Sequence, residues 1–494
     1  MTNVYVDTAV VRIQQYLSRT PTLRGYRSGS AAIKAATAAA VVDPVVAGLA
    51  EVNPEAGEAD GVVSVWFAAS SPPDPAADEA MVRQVQDRLL THLREHLPAA
   101  HLTSVHGYGE NYLEAVHQQI KARRAAGEAR VDLPPVFEFQ AVTRCDVCHT
   151  DPAVRWHRVM GDRQRLCQDC TVRNVSLAQT RKQPTDPDPD LARTAEQELR
   201  HRLDEDRAPG AGLADPPDTF DELARLGSSG SGRNHLATVF ADGNAVGAFF
   251  DALATATDPQ MQSRKKKVSA DLNEATQQAL AQATGAVLGD RNILSVVPHV
   301  AGGDDLMVTL PAEHAWRFTL TYLSAFAEWM DVAASDLLDT VNAGRAIPLA
   351  PISASAGIVI SDSSYPFTLV VDAAARMLRQ AKRHTRGRTP AVQWLDITTD
   401  GHDPAHEPAD LAQLRVAAPH LDRLAGVPQA HRNAVGVAHT QAGALTAHTV
   451  ARRVGDHRLA IEAFLPAGAN LDQPEPAGMP LPTALNLVRW WPPS

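Results

Sequence analysis

The sequence predicts an α+β protein of several domains, and three observations carry this. Residues 236–396 alternate strand and helix patterns in the order β-α-α-β-β-α-β-α-β, with an antiparallel hairpin expected at the centre of the sheet. The first 126 residues show a fainter echo of the same strand, helix, hairpin and helix run. All four cysteines fall between Cys145 and Cys170, in a short segment between these two regions. At 494 residues the chain is too long for one core, and about three domains is the ordinary expectation.

Each element has its own signal. Residues 4–9 and 61–68 are rich in β-branched and aromatic side chains and read as strands. Residues 78–97 place Met81, Val85, Leu89, Leu90 and Leu93 on one helical face. A strand starts at 102–105, and residues 107–110 are expected as its turn because of Gly107 and Gly109. Residues 183–190 cannot sustain a helix through their prolines, and 227–232 form a flexible hinge by composition. Strands follow at 236–240, 293–300, 306–310, 352–360 and 392–397, with helices at 247–254, 270–288, 315–341 and 367–382. The basic run Arg264 to Lys267 is expected between helices, as a solvated loop face. Residues 402–476 read as a small helical tail, with Trp490 and Trp491 as core or interface anchors.

Composition narrows the function classes. The net charge of -11 argues against general coating of nucleic acid through a basic surface. No apolar run reaches the roughly 18 residues a membrane span needs, and the N-terminus lacks a signal-peptide layout. A cytoplasmic protein without membrane partners is expected.

Chemistry concentrates at Gly302-Gly303-Asp304-Asp305. Two glycines let the backbone turn tightly and let a phosphate approach. Adjacent carboxylates repel, and a hard divalent cation such as Mg²⁺ or Mn²⁺ relieves the repulsion while leaving positions open for phosphates. Asp242, at the end of the 236–240 strand and followed by Gly243 and Asn244, supplies the further carboxylate that a two-metal nucleotidyl-transfer site needs. Its glycine again leaves room for a triphosphate near a helix N-terminus.

Cys145-x₂-Cys148 and Cys167-x₂-Cys170 are two knuckles at a distance that suits one tetrahedral Zn²⁺. Four thiolates leave no open position, so this zinc is structural.

Residues 236–396 resemble the palm domain shared by GGDEF-type nucleotide cyclases and the large subunit of type III CRISPR effector complexes. Ala301-Gly-Gly-Asp-Asp305 looks like the CRISPR subunit's Gly-Gly-Asp-Asp motif, and Asp242-Gly-Asn-Ala-Val-Gly247 looks like its Asp-Gly-Asp-Asn-Met-Gly element. The segment Ser355 to Val359 and the helix ending at Ala381-Lys382 resemble the later strand and helix. In that family the lysine reaches the triphosphate, which the resemblance passes to Lys382. Asn244 departs from the family's second Asp.

The resemblance implies two ferredoxin-like palms with a zinc module between them and a helical C-terminal domain. The expected divisions are 1–136, a silent first palm; 137–180, the zinc module; 181–234, a helical linker; 235–400, the active palm; and 401–494, the tail. His106-Gly-Tyr-Gly-Glu110 is expected where the first palm's hairpin would stand. No N-terminal His-Asp nuclease domain is found, so DNA cleavage is not expected. The implied activity joins ATP or other nucleoside triphosphates into cyclic or linear oligonucleotide second messengers of antiviral defence. The alternatives are a catalytically weak scaffold that binds guide RNA and other effector subunits, and a stand-alone cyclic dinucleotide synthase, which could be a homo-oligomer.

Overall fold

The computed structural model describes residues 2–56, 61–136, 142–182, 193–205, 212–227, 234–255, 261–289, 292–343, 345–404, 406–466 and 477–491. The break expected at 183–190, all but Gly227 of the hinge expected at 227–232, and the first residues of the cysteine segment lie outside the described residues.

The chain opens with β1 (Asn3–Val11), α1 (Leu23–Thr37) and α2 (Ala39–Val46), followed by β2 (Glu51–Val52) and β3 (Val62–Ala68). Then come α3 (Pro75–His96), β4 (His101–Gly109) and β5 (Arg130–Asp132). Asp74 starts α3, accepting from the amides of Ala76 and Ala77 at 3.1 and 3.2 Å, with Pro75 at the first helical position. Val82, Val85 and Leu89 of α3 pack on Val4, Val6, Val63 and Val65, the alternate residues on one face of the sheet. The strand order is β2-β3-β1-β4-β5, antiparallel throughout.

Of residues 107–110, expected as a turn, 107–109 continue β4. A Cβ on Gly107 would lie 2.9 Å from Ile120, and one on Gly109 would lie 2.8 Å from the Ala115 backbone. These glycines therefore admit a helix against the strand and do not bend it. The hairpin of this sheet is the β2–β3 connection, so His106 to Glu110 does not occupy the hairpin position.

The cysteine segment forms a ribbon of β6 (Arg155–Val159) and β7 (Asp162–Leu166), then α4 (Gln168–Lys182). A further helix, α5 (Ala195–Glu205), leads to the second sheet. That sheet is built from β8 (His235–Asn244), α6 (Val246–Thr255), α7 (Met261–Leu288), β9 (Val297–Gly302), β10 (Asp305–Pro311) and α8 (Ala315–Asn342). It is completed by β11 (Ser353–Asp362), α9 (Phe367–Thr385), β12 (Ala391–Asp396) and β13 (Ala409–Asp410). The order is β13-β12-β11-β8-β10-β9.

The hairpin β9–β10 thus lies at an edge and not at the centre. Pro298 in β9 has no N–H to donate to a further strand, which suits an edge position. The inner strands β8 and β11 are buried almost throughout. In both sheets the same four-strand order recurs: hairpin edge, hairpin inner strand, first strand, fourth strand. The basic run Arg264 to Lys267 lies within the first turns of α7 and not in a loop.

The tail holds α10 (Leu411–Ala425), α11 (Gln429–Ala451) and α12 (Leu481–Leu487). It shares one continuous core with the second sheet. Trp316 meets Trp394 edge-on with ring centroids 5.0 Å apart, and Trp491 lies 6.0 Å from Trp316. Among the described residues no single helix is long and apolar enough to cross a membrane; α1 and α2 pass jointly but are bent by 43°, and α1 is a buried core helix.

Candidate active site and metal centre

The carboxylates meet where β8 ends beside the β9–β10 turn. Leu306 pairs with Ala241, so the next position outward sets Asp305 beside Asp242. Gly303 takes φ +60°, the left-handed conformation that favours glycine, and Asp304 follows it. Gly243 is required for steric reasons, since a Cβ there would lie 2.7 Å from Asp304 Oδ2 and 2.6 Å from Val246. The room beside Gly243 is thus filled by Asp304. A Cβ on Gly302 would meet only Asn273 Oδ1, at 3.8 Å, so there is space on that side of the backbone.

Burial first, and then the charge of Asp242, pushes the Asp304 carboxyl up to about 6. Asp305 moves the same way, to about 7, through burial and then the charges of Asp242 and Asp304. Its side chain opens to solvent, so the charge there is better screened than on Asp304. Tyr322, fully buried in α8, feels all three carboxylates, and burial with their charges keeps its phenol protonated.

Lys382, in the last turn of α9, reaches the site. Its Nζ contacts Asp242 Oδ2 and donates to Gly243 O at 2.7 Å. In this arrangement the lysine offsets carboxylate charge.

Asn244 is not brought to the turn. It is buried, donating from Nδ2 to Ser353 Oγ at 3.2 Å, Ser355 Oγ at 3.0 Å and Thr389 O at 3.4 Å, while Ser355 Oγ donates back to its Oδ1 at 3.1 Å. It therefore clamps β8 to β11 and does not face a nucleotide. The following Ala245 has φ +63°, a conformation that Asn adopts more readily than Ala.

Three residues of α7 escaped the sequence reading. Thr276 Oγ1 donates to Gly303 O at 2.6 Å, Gly303 N donates to Asn273 Oδ1 at 3.3 Å, and Gln277 Nε2 donates to Ala301 O at 3.0 Å. Their one sequence signal is the spacing of three and four that sets them on one helix face.

The donor set of Asp242, Asp304 and Asp305 suits a hard divalent cation: oxygen ligands, crowded negative charge, and Lys382 as the nearby cation. The four cysteines form a tighter set. Among the described residues they are the one group of three or more metal-ligating side chains whose donor atoms all lie within 4.8 Å of one another, and all four are buried. The Cys170 amide donates to Cys167 Sγ at 3.3 Å. A closed set of four sulfurs fits structural zinc.

Residues 235–389 match the family model of the Cas10/Cmr2 second palm domain. This segment is thus similar to a Cas10/Cmr2 second palm domain. The whole fold has known counterparts as well. Csm1 of T. onnurineus matches 99% of this chain over 69% of its own, with a TM-score of 0.55 at 14% identity. A chain of the Csm1–Csm4 cassette in complex with cA4 matches with the same coverages, a TM-score of 0.56 and 12% identity. The cassette in complex with pppApA gives 0.55 and 14%, again over 99% and 69%. At these identities the likeness is one of fold. No curated protein matches this sequence significantly. The family match and the fold match bear out the resemblance to the large palm subunit of type III CRISPR effector complexes.

Proposed function

We propose that the chain is a metal-dependent nucleotidyltransferase that joins ATP or another nucleoside triphosphate into cyclic or linear oligonucleotides. The observation that carries this is the meeting of Asp242 with Asp304, Asp305 and Lys382 at one strand end of a Cas10/Cmr2 palm. The reaction is attack of a ribose 3′-hydroxyl on the α-phosphate of a second triphosphate, with pyrophosphate leaving. Asp242, Asp304 and Asp305 hold the divalent cations, which when bound activate the hydroxyl and neutralise charge on the phosphates. Lys382 releases Asp242 to meet the triphosphate, and the open space at Gly302 admits it. Fold relatives crystallised with cA4 and pppApA support this substrate class.

The division proposed is a first palm over 1–136, a zinc module over 137–180, a linker over 181–234, the active palm over 235–400 and a tail over 401–494. Strand order and register support a silent first palm. Val62 opens the pairing of β3 with β1 at Ala9, as Leu306 opens that of β10 with β8 at Ala241. Val10 therefore stands where the second sheet has Asp242, and Gly61 where it has Asp305. The likeness to a Csm1–Csm4 subcomplex of a type III-A interference complex supports guide-RNA complexes and a further subunit as partners. Asn244, as a departure from the family's second Asp, favours the scaffold alternative slightly, and its place between β8 and β11 weakens that support.

The test is incubation of the purified chain with radiolabelled ATP or GTP and Mg²⁺ or Mn²⁺, resolved for oligonucleotide products. Asp304→Ala/Asp305→Ala should abolish product and leave the circular dichroism unchanged. Synthesis that survives the double substitution would refute the site. No product from the wild-type chain, with candidate RNA and partner subunits added, would leave a nucleotide-binding scaffold.

A further inference from the structure

The three carboxylates repel one another, so the turn that carries two of them must be held in place by something other than its own hairpin. The hairpin ladder runs from Asp305↔Gly302 inward and leaves the peptide groups of Gly303 outside it. Those groups are taken up by α7. Thr276, with no exposed surface, donates to Gly303 O at 2.6 Å, and Gly303 N donates to Asn273 Oδ1 at 3.3 Å. Gln277, also buried, donates to Ala301 O at 3.0 Å. One helix face thus engages both polar backbone groups of the turn's left-handed residue and a carbonyl just before it.

The helix itself is anchored outside the second sheet. Glu274 accepts from Arg202 of α5 at 2.7 and 2.8 Å. Eleven residues before Thr276, about 16 Å along the helix, Lys265 places Nζ 4.7 Å from the Tyr112 ring centroid in the first domain. Asp7 and Glu55 lie near enough to favour its charge against burial, which lowers its pKa. The turn is therefore referenced to the linker and the first sheet as well as to β8.

We propose that Asn273, Thr276 and Gln277 are positioning residues for the metal-binding carboxylates, setting Asp304 and Asp305 against Asp242 through the backbone of Gly303 and Ala301. This rests on the reading of the turn as a metal site given above. The clamp acts on carboxylate placement through the backbone of the turn, so its loss falls on metal affinity and turnover more than on the KM for ATP.

The experiment compares the full-length chain with Thr276→Val, which keeps the shape and removes the donor, and Thr276→Ser, which restores it. Mn²⁺ binding is titrated by electron paramagnetic resonance, and kcat and KM are measured separately on labelled ATP. Thr276→Val should weaken Mn²⁺ binding about tenfold or more and lower kcat by on the order of a hundredfold, with KM for ATP changed less than about threefold. Thr276→Ser should behave as wild type. If Thr276→Val does not fold, Asn273→Ala at the half-exposed end of the clamp carries the same comparison. Wild-type Mn²⁺ affinity in both Thr276→Val and Asn273→Ala overturns the proposal. A wild-type chain that binds Mn²⁺ but makes no product removes the catalytic reading, and the affinities still decide on the clamp. A wild-type chain that binds no Mn²⁺ overturns both.

Discussion

Asp304 works against the stability of the fold that carries it. Burial and Asp242 hold its carboxyl near 6, above the ordinary 3.8. Between those values the folded chain binds more protons than the unfolded chain, so this contribution to stability falls as pH rises through the window. Above about pH 6 the group is charged and unfavourable unless a cation is bound. In EDTA at pH 8, Asp304→Asn should therefore melt at a higher temperature than wild type, and the advantage should vanish by pH 4. Mg²⁺ at pH 8 should raise the wild type alone and close the gap. Scanning calorimetry checks this, and a variant that melts no higher at pH 8 in EDTA would show that Asp304 is not strained by charge. Residue identity made the carboxylates legible in the sequence, because paired acids beside glycines are costly without a purpose. It misled at Asn244, where the same motif position feeds a buried hydrogen-bond network with Ser353 and Ser355. It was silent on Asn273, Thr276 and Gln277, since polar residues on a long helix carry no pattern that says which backbone they will meet.

Elements were legible where one signal dominated and misread where two competed. The apolar stripe made α3 legible over 78–97, and the Asp74 cap with Pro75 starts the helix three residues earlier, at Pro75–His96. In β4 the glycines suggest a turn, yet they serve close helix packing, a cause invisible without the partner. Pro298 carried a signal for an edge strand, yet the hairpin was expected at the centre of the sheet. The four-cysteine segment shows how elements are joined. Arg173 of α4 is buried against the first domain: Nε lies 2.8 Å from Asp169, Nη2 donates to Tyr16 O at 2.6 Å, and the guanidinium sits 3.9 Å from the Tyr16 ring centroid. Tyr16 in turn donates to Asp169 at 3.1 Å. Arg173→Met leaves Asp169 buried beside a phenol, with Arg19 3.9 Å away as its remaining cation, and should cost about 3 kcal/mol or more in urea unfolding. The double variant Asp169→Asn/Arg173→Met should cost less than the sum of the single changes, and additivity would show that the pair does not act as a unit. The four buried thiols predict one equivalent of zinc by mass spectrometry, and Cys167→Ser should abolish it. The substitution should also lower the melting temperature, because binding of a metal by the folded cysteine set adds to its stability.

At the scale of the molecule, the boundaries drawn from sequence patterns do not coincide with the cores. Leu199 and Leu203 of α5, the second sheet, α8 and the tail residues through Trp491 belong to one hydrophobic cluster. A second cluster joins Tyr26 and Leu17 of the first domain to Phe240, Met307 and Phe367 of the second. Tyr26 lies 4.6 Å edge-on from Phe367, and Arg27 ties α1 to Glu196 and Asp218 at 2.7 and 2.9 Å. Composition does not show what the inner faces of the tail helices meet, and burial is decided there. Trp490 and Trp491 seal this junction, donating from their indole N–H groups to Asp396 and Asp422, each at 2.7 Å. A tail that folded alone would melt in its own transition and leave the palm unaffected when altered. The shared core requires the opposite. Trp491→Ala removes a ring packed beside Trp316 and should destabilise by about 3–5 kcal/mol. That loss should appear in the transition that also reports the second sheet, and amide exchange in β8 and β11 should quicken together with exchange in α10 and α12. Exchange that quickens in α10 and α12 while β8 and β11 stay protected would divide the cluster into two independent units.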